Sequence, residues 1–305
     1  MTGSELGDVC LVVATFRHDD AVRELLERVC AGGPHPFHEI IIVDSQGTGD
    51  IAELIEHRRY ERVRYHSAEE NLGSAGNFAR RLKLAGEGGA SYAYAVNHDG
   101  HVDLGCIARL AQVARADLTL GAVYPLRRLP GRGGAYDLSG TRRAPLVSVR
   151  SLERPAGPLL PAYWSTSNGA LYNLAPIREG LLPWADLWMG WEDLGFGWLL
   201  HEKGWRQVLV TDAESVDPYE FRRARGGVWI TDKPSWYAYY YARNLLLLNR
   251  RARPGAQVTA ATTARLLAEF PVTLLLRRDK LHRLRLLCAG VADGLRGRAG
   301  KWTLP

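Results

Sequence analysis

Val9-Cys-Leu-Val-Val-Ala14 is a continuous apolar run. An uninterrupted run of this length reads as a strand covered on both faces. From Asp19 to Cys30, Ala21, Val22, Leu25, Leu26 and Val29 recur at helical spacing, and Gly32, Gly33 and Pro34 end the pattern. Glu39 to Val43 is a second buried strand ending at Asp44, and Gly49 and Asp50 open a helix over Ile51 to His57. Val63 to His66, Ser74 to Ala85 and Tyr92 to Val96 continue the alternation as strand, helix and strand. Strands alternating with helices at this pace predict an α/β fold with a mostly parallel central sheet and right-handed crossovers.

Beyond this the pattern changes. Residues 126–161 are rich in Gly, Pro and Arg and lack periodicity, so they read as a long, partly mobile loop or a small β excursion. Order returns at Tyr163 to Asn173, in a helix from Glu192 to Lys203 closed by Gly204, and in a strand from Gln207 to Thr211. After Pro234 the chain reads as mostly helical.

The 305 residues are 46% hydrophobic and 24% charged, the profile of a globular protein with a sizeable core. The opening Met1 to Asp8 lacks the basic region and apolar core of a signal peptide, and no run approaches the roughly 20 apolar residues of a bilayer span. Cys10, Cys30, Cys106 and Cys288 are scattered, without metal-ligand spacing. A cytoplasmic protein with reduced thiols is expected. The net charge of +6 is concentrated after Pro271, where eight Lys/Arg face Asp279 and Asp293. A near-neutral remainder argues against a nucleic-acid partner.

In parallel sheets ligands sit beyond the carboxyl ends of the strands. Three polar sets end the predicted strands: Thr15-Phe16-Arg17, Asp44-Ser45-Gln46-Gly47 and Asn97-His98-Asp99. Asp99 can hold Mg²⁺ or Mn²⁺ through oxygen, or simply close a polar turn. Asp44 can accept from a base or ribose edge, or make an Asx turn. The loop Asn71-Leu-Gly-Ser-Ala-Gly-Asn77 opens a helix, where small residues and the helix N-terminus favour an anion, and Arg80 and Arg81 lie one turn in. Trp191-Glu192-Asp193 starts another helix after Trp184, Trp188 and Met189; its carboxylates suit a general base held ionised by the helix dipole, with aromatic walls for a sugar, or an ordinary acidic first turn. Asp217 can add a metal ligand or start the turn at Pro218.

Taken in order, these segments resemble the inverting family 2 glycosyltransferases of GT-A fold, and among them the rhamnosyltransferase-like and galactofuranosyltransferase-like members. The resemblance is carried by Thr15-Phe16-Arg17, Ile41-Ile-Val-Asp44, Asn71 to Asn77, Asn97-His98-Asp99, Trp191-Glu192-Asp193 with Phe196, Tyr239-Tyr240-Tyr241-Ala-Arg243-Asn244 and Asp293-Gly-Leu-Arg-Gly-Arg298. It covers most of the chain apart from 126–161. It departs from the family at the metal motif, where Asn97 and His98 precede a single anionic ligand, Asp99.

The resemblance implies a GT-A catalytic domain over 1–233, with donor-binding residues about 1–125 and acceptor and base residues about 160–233, followed by a helical, basic region over 234–305. It implies transfer of a sugar from a nucleoside-diphosphate sugar (UDP- or dTDP-linked) to an acceptor hydroxyl, in polysaccharide, glycolipid or glycosylated natural-product synthesis. Asp193 is the expected base and Glu192 its companion. Thr15, Phe16, Arg17, Asp44, Gly73, Ser74, Asn77, Arg81, Asn97 and His98 are expected at the donor. Asp99 and Asp217 are expected to hold a divalent cation, Mg²⁺ or Mn²⁺. Trp164, Ser167, Asn168 and Trp191 are expected at a carbohydrate, lipid-linked or small-molecule acceptor. The competing reading is a non-catalytic nucleotide-sugar-binding or scaffold protein that keeps the fold. A nucleotidyltransferase is disfavoured, because no Gly-rich basic loop follows the first strand. The basic amphipathic stretch from Leu274 to Trp302 suits peripheral contact with the inner face of a membrane as well as packing on the catalytic domain. A homodimer is also compatible with the sequence.

Overall fold

The computed structural model describes residues 5–31, 33–47, 49–100, 102–145, 149–216, 222–223, 229–230 and 233–302. The opening run is β1 (Val9–Thr15), buried along nearly its whole length. It is followed by α1 (Asp19–Val29), β2 (Glu39–Asp44), α2 (Asp50–Arg58), β3 (Val63–Ser67), α3 (Gly73–Gly86) and β4 (Tyr92–Asn97). Each of these is where the hydrophobic pattern places it, to within a residue or two.

Two elements then appear that the pattern reading passed over. Helix α4 (Leu104–Ala116) buries Cys106, Ile107, Leu110, Ala111, Val113 and Ala114, and Asp103 caps it by accepting from the Cys106 N–H at 2.7 Å. Strand β5 (Leu120–Leu129) runs straight into the segment expected to be irregular. It carries Pro125, which has no N–H for a ladder, and the partner strand shifts register there, with Val210 opposite Pro125 and Glu214 opposite Leu126.

The 126–161 stretch is a β excursion: β6 (Ala135–Asp137), β7 (Arg150–Ser151) and β8 (Leu159–Ala162). After it come β9 (Ala170–Asn173), α5 (Ala175–Arg178), α6 (Glu192–Glu202), β10 (Arg206–Val216) and a short hairpin of β11 (Arg222–Arg223) and β12 (Trp229–Ile230). Three helices follow: α7 (Tyr237–Ala252), α8 (Ala256–Leu276) and α9 (Lys280–Arg296).

The main sheet has the order β3-β2-β1-β4-β9-β5-β10-β8, with β6 on β5 and β7 on β6. It is parallel from β3 to β4 and between β5 and β10. The expectation of a mostly parallel sheet needs correction beyond β4, because β9 runs antiparallel to both its neighbours and β8 antiparallel to β10. The sheet is therefore mixed, and β9 wedges between the two parallel halves.

One face packs Leu11 and Val13 against Val22, Leu25, Ile107 and Leu110; the other packs Val12, Ile41 and Val43 against Phe78, Leu82 and Phe196. A third core joins α6 to the C-terminal helices through Leu194, Trp198, Tyr239, Leu245 and Leu287. All four cysteines are free thiols.

Helix α9 lies directly against α7 at Gly290, where a β-carbon would stand 2.2 Å from the Tyr239 carbonyl oxygen. That neighbour is backbone and cannot swing aside. Gly290→Ala is expected to lower stability by about 1–3 kcal/mol in urea denaturation; an unchanged midpoint would contradict this packing.

Candidate functional site at the strand tips

The parallel strands β1, β2 and β4 bring their carboxyl ends to one edge, and their polar tips meet there. Thr15 is buried, with its hydroxyl oxygen lacking a protein partner. Phe16 is partly exposed, and the Arg17 guanidinium lies over its ring at 5.1 Å while donating to Gln46 Oε1 at 3.1 Å. Arg17, His18, Gln46, Gly47 and Asp50 line a pocket of about 870 Å³. A second pocket of about 490 Å³ is lined by Glu24, Arg28, His98, Asp99 and Gly100. Both share Ala21 and Glu24, so they adjoin across the first turns of α1.

Asp44 is fully buried, and both its oxygens have protein partners. Oδ1 accepts from the Gln46 N–H at 3.0 Å, closing an Asx turn, and Oδ2 accepts from the Tyr65 hydroxyl at 3.0 Å. Burial and the Asp44 charge push the Tyr65 hydroxyl up to about 12, so it stays a donor. Tyr65 was not singled out in the sequence. The signal was its place in β3, in register with Ile42 beside the Asp44 strand end.

Several expected donor contacts turn out to be internal struts. Asn77 is buried and donates to the Val43 carbonyl at 2.8 Å and to Ser45 Oγ at 3.0 Å. Arg81, expected near a phosphate, is fully buried: it donates to the Val96 carbonyl at 2.6 Å and to Ser167 Oγ at 3.4 Å. The helical phase explains this correction. Arg81 falls three residues after Phe78 and four before Ala85, on the face of α3 that packs inward, while its neighbour Arg80 points out. Asn168 also braces, accepting the Asn97 N–H on Oδ1 at 3.0 Å. Trp164 donates to the Arg142 carbonyl and Trp191 to the Tyr241 carbonyl. Gly73 has φ +65°, and a β-carbon there would meet the Trp188 carbonyl oxygen at 2.2 Å, so only glycine lets α3 start this close to the 188 turn.

Two of these segments, at Ser74 and Ser167, reach Glu192 and Asp193 at the first turn of α6. Asp193 Oδ1 accepts the Ser167 N–H at 3.0 Å. Glu192 Oε1 accepts a short hydrogen bond from Ser74 Oγ, and its Oε2 is buried without a protein partner. Burial first, and the neighbouring Glu192 second, push the Asp193 carboxyl up to about 7, against the pull of the Ser167 hydrogen bonds and of Arg81. The sequence reading expected the helix dipole to keep this acid ionised; loss of solvent outweighs it. The same burial lowers Arg81 to about 10, still a cation at neutral pH.

The turn before α6 is held from behind. Trp188, Gly190 and Trp191 all have positive φ, at 60°, 84° and 66°. Asn244 Nδ2 donates to the carbonyls of Leu187, Met189 and Gly190 at 3.0, 2.8 and 2.9 Å. Arg243 donates to the Leu187 carbonyl at 2.7 Å and to the Gly300 carbonyl at 2.6 Å, with its guanidinium over the Tyr240 ring at 4.8 Å. Both residues are fully buried. The aromatics expected to wall a sugar are in part used here: Trp188 stacks on Tyr240 with centroids 4.8 Å apart.

At the metal motif, His98 stacks on His18 at 4.1 Å, and burial holds its ring below the usual histidine range. Among the described residues no group of three or more His, Cys, Asp or Glu comes together to hold a metal ion. Asp217 lies outside the described residues, so of the two expected metal ligands the structure describes Asp99.

Residues 10–154 match the family model described as Glycosyl transferase family 2. Over those residues the chain has the sequence pattern of a family 2 glycosyltransferase. Solved structures share its GT-A fold. S. aureus TarS 1-349 superposes with a TM-score of 0.60 at 13% identity, covering 94% of this chain and 80% of that one. The mannosyltransferase PcManGT from Pyrobaculum calidifontis, in complex with GDP-Man and Mn2+, gives 0.57 at 15% identity, covering 94% and 87%. GalNAc-T7 with UDP, GalNAc and Mn2+ gives 0.55 at 13% identity, covering 84% of this chain and 54% of that one. A comparison with curated proteins finds no match.

Two measurements follow from the glycosyltransferase site. Asn244→Ala strands the carbonyls of Met189 and Gly190, while Leu187 keeps Arg243, and should cost about 2–3 kcal/mol of stability in urea denaturation; a loss under about 0.5 kcal/mol would mean the turn holds itself. The second concerns pH. The folded Asp193 acid holds its proton up to about 7, against an ordinary 3.8, so its contribution to stability is full below the ordinary value and is lost as pH rises through about 7. Asp193→Asn carries no such charge. Its thermal midpoint should exceed that of the native chain by a gap that opens above about pH 4 and is complete above about pH 7. A gap that does not vary with pH would place Asp193 in a solvated setting.

Proposed function

We propose that this glycosyltransferase moves a sugar from a nucleoside-diphosphate sugar to an acceptor hydroxyl with inversion, using Asp193 as general base. The observation that carries the reading is the Asp193 carboxylate itself: half-buried at a helix start, with one oxygen fixed by the Ser167 N–H at 3.0 Å, and poised at about 7. A base is most effective when its proton affinity lies near the working pH. Asp193 takes the acceptor proton as the acceptor oxygen attacks the anomeric carbon. The bond to the diphosphate oxygen breaks on the opposite face, and the nucleoside diphosphate leaves with the electron pair. One base and one displacement give inversion.

Glu192 has one oxygen held by Ser74 and a second without a protein partner. Such an oxygen suits a sugar or acceptor hydroxyl, which would satisfy it. The nucleoside is assigned to the pocket of about 870 Å³ lined by Arg17, Gln46 and Gly47. A uridine or thymidine nucleotide is the proposed class, in keeping with the UDP-GlcNAc complex of S. aureus TarS, which has the same fold. Asp99 offers one hard oxygen donor for Mg²⁺ or Mn²⁺. An ion of this kind is commonly held by one or two carboxylates together with substrate phosphates, so Asp99 fits as its protein anchor. When bound, the ion would offset charge on the departing diphosphate.

The test is kinetic. Asp193→Asn should bind nucleoside diphosphate normally, by calorimetry, and lose turnover by about 10²–10⁴-fold. In the native enzyme kcat/KM should rise with pH and level off above an apparent pKa of about 7. Near-normal turnover in the variant, or a flat profile from pH 5 to 9, would remove Asp193 from this role.

A further inference from the structure

Helix α8 spans 21 residues, and its charged residues are Arg265 and Glu269. Its inner face buries Thr262, Leu266 and Thr273 against the rest of the protein. Its outer face is apolar too. Ala260, Ala264, Leu267, Ala268, Pro271, Leu274 and Leu275 recur three or four residues apart and are all exposed, Leu267 at 62% and Leu275 at 73%. A surface helix ordinarily puts charge on its outer face, and a contiguous apolar stripe marks an interaction surface. Leu281, 75% exposed, follows at the start of α9.

Charge decides what covers this stripe. Its C-terminal end is flanked by exposed Arg278, Lys280 and Arg285, which outnumber the exposed Asp279 between them, and Arg253 stands exposed just before its N-terminal end. A second copy laid along α8, parallel or antiparallel, would bring one basic end against another. An anionic bilayer surface complements both ends and takes the leucines between them. Among the described residues no helix is long and apolar enough to cross a membrane, so α8 would lie in the interface. The inner face of α8 reaches the site: the Arg265 guanidinium lies 5.8 Å from the Trp191 ring, next to Glu192 and Asp193. The outer stripe is thus separated from Trp191 by the thickness of the helix, ~10–12 Å, and the 5.8 Å gap between Arg265 and the ring.

We propose that α8 and the start of α9 are a docking surface for an anionic lipid bilayer, which would set the catalytic turn beside a membrane-borne acceptor. The surface does not depend on which sugar is transferred. The test is flotation of the full chain with vesicles of phosphatidylcholine, with and without about one third phosphatidylglycerol. The native chain should float with anionic vesicles and stay in solution with neutral ones. Leu267→Glu/Leu274→Glu/Leu275→Glu should reduce flotation about tenfold or more, with an unchanged thermal midpoint. Arg278→Glu/Lys280→Glu should reduce it in the same direction and remove the salt dependence. Equal flotation of native and triple-leucine chains would overturn the proposal. So would a native dimer, by light scattering, that becomes monomeric in the triple variant without any vesicle binding, since a second copy would then be the occupant. Donor hydrolysis in solution should be the same in all these chains, so failure here leaves the assignment of Asp193 standing.

Discussion

The site depends on a set of buried hydrogen bonds from one asparagine and one arginine of α7 to the backbone just before α6. Trp188, Gly190 and Trp191 stand in left-handed backbone conformations, two of them without glycine's freedom. Such conformations persist only where the surroundings over-determine them. Asn244 and Arg243 supply that constraint by occupying the carbonyls of Leu187, Met189 and Gly190. The turn they hold places Glu192 and Asp193 at the head of α6 and lets α3 begin against Trp188. The helical C-terminal region is therefore structural support for the site as well as an appendage to it.

On that support sits a half-buried acid that costs stability. Ser167 fixes one oxygen of Asp193, and Arg81 lies behind as a buried cation, yet burial and Glu192 still raise its proton affinity. A carboxyl left in water would be ionised but weakly basic, and one buried without the Ser167 N–H would be poorly oriented. In the proposed mechanism the arrangement trades fold stability for a base matched to neutral pH, a common feature of working sites.

The strands β1, β2 and β4 were legible in the sequence because both their faces are buried, which leaves uninterrupted apolar runs ending abruptly in polar tips. Helix α4 was passed over although Ile107, Leu110, Ala111 and Ala114 carry its period, and β5 was hidden by Pro125 and by the Arg-rich stretch it enters. Asp193, Glu192 and the strand tips were singled out through residue type and position. What the sequence did not settle was which polar residues face a ligand and which face the protein. Arg80 and Arg81 look alike as neighbours, and only the phase of α3, read against Phe78 and Ala85, separates the exposed one from the buried one. Asp44 reads equally as a base contact or an Asx turn; its partners Gln46 and Tyr65 come from two different segments, and Tyr65 is adjacent only once the strands pair.

The proposed reaction is a single displacement assisted by one half-buried carboxylate. The most direct measurement of it is the anomeric configuration of the transferred sugar, read by proton NMR on the first product formed from an α-linked nucleoside-diphosphate sugar. A β-linked product is predicted. An α-linked product, formed at the same rate as nucleoside diphosphate is released, would contradict the account.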